Sequence, residues 1–170
     1  MQRASVDPVP GVGHRVYATQ VLRVSKVIEA PLNYVYQWCT DYRSDDRKLS
    51  RSNPKPRFRV VKLSPRRVLR IRVTPSGKDD PAVAVDVVRL DPPAAWHTDQ
   101  IDEHDREVID YRLTALGPAK TRLDLLVTER WVIPEFPSRE EVRRRVTAVW
   151  DRYAPVIESR YRSGRPARGR

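Results

Sequence analysis

Glu129 stands in the stretch LDLLVTERW, where the residues of its own parity are Leu123, Leu125, Val127 and Trp131. Side chains of a strand change face at every residue, so the carboxylate shares the greasier face and leaves Asp124, Leu126, Thr128 and Arg130 on the other. A second acid joins it if the neighbouring segments pair as hairpins. With Glu103 and His104 as a two-residue turn, Trp96 faces Tyr111, Thr98 faces Ile109 and Gln100 faces Glu107. With the next turn at Gly117 and Pro118, Leu113 falls opposite Leu123, Tyr111 by Leu125 and Glu107 opposite Glu129. Two carboxylates and an amide then converge. Like charges so close and partly buried hold one glutamate protonated near neutral pH, which suits hydrogen bonding to a hydroxyl or carbonyl, or general acid work. The plainer reading puts both acids at the open end of the sheet, facing solvent or paired with an arginine of the last helix, such as Arg143 or Arg144.

Trp38, Trp96, Tyr111, Trp131, Trp150 and Tyr153 form a second group, either walls for a ligand or filling for a core. With Thr98, Ile109, Leu125, Val127, Val146 and the two glutamates they make the predicted ligand-contacting set, in which Glu129, Glu107 and Tyr111 orient the guest. His97 and His104 flank an acidic hairpin, HTDQIDEHD, yet alternation turns His97 away toward Asp110 and a turn histidine has no fixed partner, so no metal site is expected. There is no His-Glu-x-x-His, no Gly-rich phosphate loop and no nucleophile beside a recognisable base, so no catalytic residue and no cofactor is assigned. Cys39, on a helix stripe, reads as a small buried hydrophobe. Arg66, Arg67, Arg70 and Arg72, in a block that also holds Arg57 and Arg59, are the candidate anion-binding residues, since guanidinium forks match phosphate oxygens. Against that, Arg70 and Arg72 alternate with Leu69, Ile71 and Val73, the pattern of any half-buried strand with a solvated face.

These residues need a frame to bring them together. Residues 1–19, rich in Pro and Gly, read as a flexible arm, and structure is expected from about Gln20. QVLRVSKVIEAP is a strand stopped by Pro31, which fits the first turn of the helix LNYVYQWC that follows. TDYRSDDRKLS reads as a polar turn or a second short helix. Six further strand signals follow: RFRVVKL, RVLRIRV, AVAVDVVRL, AWHTDQI, REVIDYRL and RLDLLVTERW. The connections are too short for crossover helices, so the seven strands are expected to run antiparallel. The last element opens with a capping box, Ser138 and Glu141, and carries Val142, Val146, Val149, Trp150, Tyr153, Val156 and Ile157 as a buried stripe through a kinking Pro155.

At 170 residues the chain suits one domain with a real core. Its single cysteine excludes an internal disulfide. The start lacks an apolar stretch and no later run nears the roughly 20 apolar residues of a membrane span, so a soluble cytoplasmic protein is expected. The net charge of +11 is unevenly spread: Arg43–Lys78 holds thirteen Lys or Arg against two Asp, and Asp79–Asp110 holds ten acids against two Arg. Such a split fits a nucleic acid or anionic membrane partner, and fits equally a homodimer in which the acidic strands of one copy receive the basic block of another. The end of the chain, residues 162–170, is basic and poor in apolar residues, a disordered tail by composition.

The order of elements, together with VIEAPLNYVYQWCTDY, the double-Pro turn in VVRLDPPAAW and the paired late strands of VIDYRLTALGPAKTRLDLLVTERW, resembles the START-like or SRPBCC superfamily of polyketide cyclases and pollen-allergen proteins. The resemblance covers about residues 20–161. It implies an α+β helix-grip fold: a seven-stranded antiparallel sheet curved around the long C-terminal helix, with two short helices between the first two strands. It also implies a cavity for a small hydrophobic or amphipathic guest such as a lipid, quinone or polyketide. The expected function is therefore a binding or carrier protein, with a cyclase or dehydratase as the enzymatic alternative, and surface binding through the Arg-rich strands and tail as a third.

Overall fold

The computed structural model describes residues 4–5, 17–42, 56–75, 81–102, 105–132 and 137–167. Strand β1 (Ala4–Ser5) is a two-residue edge that pairs with Ala18 and Tyr17 of β2 (Tyr17–Ile28). The sheet therefore begins three residues before Gln20 and recruits part of the expected arm. Pro31, extended at φ −60° and ψ 148°, precedes helix α1 (Leu32–Thr40), and its carbonyl accepts the Val35 N–H at 3.0 Å. Proline suits this place because a first-turn N–H has no partner within a helix. Of the polar turn or second short helix expected over residues 40–50, Thr40 belongs to α1 and everything past Tyr42 is outside the described residues.

The remaining strands are β3 (Arg57–Ser64), β4 (Arg67–Thr74), β5 (Ala82–Asp91), β6 (Ala95–Ile101), β7 (Asp105–Gly117) and β8 (Lys120–Val132). The sheet order is β1-β2-β8-β7-β6-β5-β4-β3, antiparallel throughout. Seven long strands match the expectation, and β1 makes an eighth at the edge. Both late hairpins have the predicted registers: Trp96, Thr98 and Gln100 face Tyr111, Ile109 and Glu107, while Leu113, Tyr111 and Glu107 face Leu123, Leu125 and Glu129.

Helix α2 (Arg139–Arg162) lies against the concave face. Its capping box is closed: the Ser138 N–H donates to Glu141 Oε2 at 2.7 Å, and the Glu141 N–H to Ser138 Oγ at 3.2 Å. Val142, Val146, Trp150, Ala154 and Ile157 are its buried stripe, and the helix continues through Pro155. Lys26 reaches Asp151 at 2.6 Å, the Glu29 N–H donates to Glu158 at 3.0 Å and Arg143 donates to the Arg23 carbonyl at 3.1 Å, fixing α2 along β2. Leu22, Ile28, Leu123, Leu125, Val127, Val142 and Ile157 fill the space between them. Past the helix the chain turns at Gly164, whose φ of 66° belongs to the left-handed region that glycine enters without a Cβ penalty. The tail expected from composition is described as far as Ala167, and residues 168–170 are outside the described residues. The Arg165 carbonyl accepts the Tyr34 hydroxyl at 2.8 Å and Ala167 is buried, because α1 offers a partner that tail composition cannot reveal. Among the described residues, no helix is long and apolar enough to cross a membrane.

Candidate ligand pocket

Straight across the ladder, Gln20, Glu129, Glu107, Gln100, Asp86, Arg70 and Val60 stand opposite one another on seven successive strands. Directly paired residues share a face, so these form one row on the concave side, polar in six of seven places. The next row inward is Leu22, Val127, Ile109, Thr98, Val88 and Val68, and the one after it Val24, Leu125, Tyr111, Trp96 and Leu90. Glu129 is thus the member that β8 supplies to a polar row bordering an apolar floor.

The row's charges are partnered. Arg70 Nε donates to Asp86 Oδ2, and its guanidinium lies 5.6 Å from the Tyr42 ring centre and 5.4 Å from that of Phe58. Asp86 is 1% exposed, and its other oxygen is buried without a hydrogen bond among the described residues. Glu129 is fully buried and accepts from Gln20 Nε2 at 3.3 Å, from Trp131 Nε1 at 3.2 Å and from Arg145. Arg145 also donates to Glu107 Oε2 at 3.4 Å. The two glutamates are therefore bridged by a guanidinium, a partner that stands between the two converging carboxylates. The cation is an arginine of the last helix, as the plainer reading had it, but Arg145 in place of Arg143 or Arg144: it lies three residues after Val142 and one before Val146, beside the buried stripe on the pocket side, whereas Arg143 leans to β2.

Burial pushes the Glu107 carboxyl up, against the pull of Arg145 and Arg72. Burial also raises the hydroxyls of Tyr42 and Tyr111 well above the ordinary tyrosine value. Asp105, partly buried and next to Asp102, is raised to about 6.

Between the sheet and α2 lies a pocket of about 460 Å³. Trp38, Cys39 and Tyr42 close one side; Arg70, Arg72, Trp96, Thr98, Gln100, Asp102, Asp105, Glu107, Ile109 and Tyr111 come from the sheet side; Arg145, Val146, Val149, Trp150 and Tyr153 come from α2. Its aromatic end is a continuous array: Trp96 stacks on Tyr111 at 4.4 Å, Tyr111 meets Trp150 edge-on at 6.2 Å, Trp150 meets Tyr153 at 5.7 Å and Tyr153 meets Trp38 at 5.6 Å. The polar row borders the other end.

Nine residues of the predicted contact set line this space: Trp38, Trp96, Thr98, Glu107, Ile109, Tyr111, Val146, Trp150 and Tyr153. Four lie elsewhere. Leu125 and Val127 are core at 2% and 0% exposure, Glu129 is sealed behind Arg145, and Trp131 packs 5.9 Å from the Arg145 guanidinium. Of the candidate anion-binding residues, Arg70 and Arg72 face the pocket instead of an outer solvated face, because the parity that buries Val68 carries them inward; Arg66 and Arg67 are exposed at the β3–β4 turn. Tyr42, Cys39, Gln100, Asp102, Asp105, Arg145 and Val149 complete the lining and were not in the predicted contact set, although Gln100 was expected opposite Glu107 and Val149 stood in the helix stripe. His97 Nδ1 sits 2.7 Å from Asp110 on the convex side, as alternation implied, and His104 is outside the described residues. Among the described residues no group of three or more His, Cys, Asp or Glu is placed to hold a metal ion.

No family model matches the sequence, nor does any curated protein. Solved structures do match in fold. TTHA0849 from Thermus thermophilus is 18% identical with a TM-score of 0.57, over 85% of this chain and 99% of that one. The Zhui aromatase/cyclase from Streptomyces sp. R1128 is 14% identical with a TM-score of 0.52, over 82% and 88%. Ara h 8.0201 is 10% identical with a TM-score of 0.60, over 83% and 99%.

Proposed function

From the START-like (SRPBCC) helix-grip fold that the chain adopts, we propose that it binds or carries a small amphipathic molecule with a flat, apolar body and a polar end. The carrying observation is the two-zone pocket, about 460 Å³ with an aromatic array at one end and the polar row at the other. That volume lies in the range of small-molecule sites. Apolar burial, about 25 cal/mol per Å² removed from water, would supply the affinity, and Gln100, Glu107 and Arg72 the orientation.

Native mass spectrometry of the freshly purified protein, followed by extraction of any co-purifying compound, tests the reading directly. As a probe, anilinonaphthalene sulfonate combines rings with one charged end. Val149→Trp fills the pocket from α2 without touching the floor. The expected result is at least a tenfold loss of probe affinity with an unchanged melting profile; undiminished probe binding would refute the site.

One observation favours an enzymatic second reading: Glu107 lines the pocket with a carboxyl raised by burial, as a general acid requires. A cyclase or dehydratase would convert the extracted compound and stop on Glu107→Gln. A carrier would return it unchanged.

A further inference from the structure

The convex face of the sheet, turned away from α2, carries an apolar patch with no cover among the described residues. Leu69, Ile71 and Val73 of β4 stand opposite Val87, Val85 and Val83 of β5, and Val85 faces Ile101 of β6. Val83, Val87 and Ile101 are 46%, 37% and 48% exposed. An antiparallel sheet that meets water on one face ordinarily places polar side chains there, and contiguous apolar surface marks an interaction site. The patch is bordered by cations. Arg57 and Arg59 of β3 lie opposite Val73 and Ile71, and Arg67 and Arg89 face each other at the other end of β4 and β5. All four are exposed. The carboxylate beside Val87, Asp99, already accepts from Nε and Nη2 of Arg106 at 2.9 and 2.7 Å, and Asp91 lies beyond Arg89 at the end of its strand.

We propose that this face docks on an anionic phospholipid bilayer. A valine and isoleucine centre needs an apolar phase, and an arginine border needs anions; the interface of an acidic bilayer supplies both. A second copy would bring the same arginine border against its own kind. Nucleic acid would satisfy the arginines and leave the aliphatic centre in water. The site also relates to the pocket, because on β4 Arg70 and Arg72 point inward on either side of outward Ile71, and on β6 inward Gln100 precedes outward Ile101. The docked face therefore backs the strand segments that form the polar end of the pocket. Docking itself needs no guest, so it stands or falls independently of the carrier reading.

The test is co-sedimentation of the full chain with phosphatidylcholine vesicles, with and without about one third phosphatidylserine, at low ionic strength and at about 0.15 M salt. Binding is expected only to the serine-containing vesicles, and weaker in salt. Val83→Asp with Val87→Asp, both at exposed positions, should lower binding at least tenfold with unchanged circular dichroism; Arg57→Ser and Arg59→Ser should each lower it about fivefold. Absence of wild-type binding at low salt overturns the proposal. So does binding indifferent to the valine changes but lost on replacing Arg165, Arg168 and Arg170, which would place attachment in the tail. A dimer in sedimentation equilibrium that Val83→Asp and Val87→Asp split, without vesicle binding, would assign the face to a second copy and equally overturn it.

Discussion

Glu129 has no exposed surface, yet three donors converge on it from β2, β8 and α2. Arg145→Leu removes the one cation among them and strands the carboxylate, at a cost of roughly 2–4 kcal/mol in urea denaturation, reduced from a fully buried pair because the guanidinium is half exposed. Glu129→Gln should cost less, since the amide oxygen still accepts from Gln20 and Trp131. A larger loss for Glu129→Gln than for Arg145→Leu would contradict this account. Asp105 makes the opposite case, a carboxyl raised from 3.8 to about 6 mainly by burial and then by Asp102. A folded pKa above the unfolded one favours folding in the protonated form, so this contribution is complete below about pH 3.8 and disappears as pH climbs through about 6. Asp99 and Asp124, held low by hydrogen bonds to Arg106 and Ser25, work the other way and lose stability as pH falls. The difference in melting temperature between wild type and Asp105→Asn isolates the one effect: it should move against the wild type between pH 3.8 and about 6, the ordinary and the raised values, and a flat difference would deny it. The inward direction of Glu129 and Glu107 was legible from strand parity alone. Their partner was not, because which of three consecutive arginines reaches them depends on the helix's rotation against the sheet.

At the level of elements, α2 is held by its cap, its stripe, two polar ties to β2 and a third to Glu29 just past it. Ser138→Ala opens the capping box and leaves the Glu141 N–H without its side-chain acceptor, which should lower stability by about 1 kcal/mol in thermal or chemical melts. A change within error would mean that packing alone sets where the helix begins. The box was visible in sequence because it is a local motif, and so were the hairpin registers, which turn position and alternation together determine. Less legible was whatever depends on distant contact. The pairing of Ala4–Ser5 with Ala18 and Tyr17, and the hydrogen bond of the Arg165 carbonyl to Tyr34 of α1, involve short segments with no periodicity of their own. The same limit explains Arg70: alternation showed that it shared a face with Arg72, but only the ladder to Asp86 shows that this face is the inner one.

Across the whole molecule, the polar row turns an otherwise greasy cavity into one with direction. A guest binding only by apolar area would be indifferent to that row; a guest with a hydrogen-bonding end would not. Naphthalene and 2-naphthol, nearly equal in apolar surface, separate the two cases in a thermal shift assay. Ligand at a hundred times its Kd stabilises by about 2.7 kcal/mol, which for a chain of this size raises the melting temperature by roughly 5–10 °C. The naphthol is expected to reach that shift at a lower concentration, because its hydroxyl can lie along Gln100 and Glu107 while the rings take the surface of Tyr111 and Trp150. Gln100→Leu removes one polar partner and adds apolar wall, so it should narrow the gap between the two compounds from both sides. If naphthalene binds wild type as well as naphthol does, the row is a structural brace across the sheet, and orientation of the guest must come from the aromatic end.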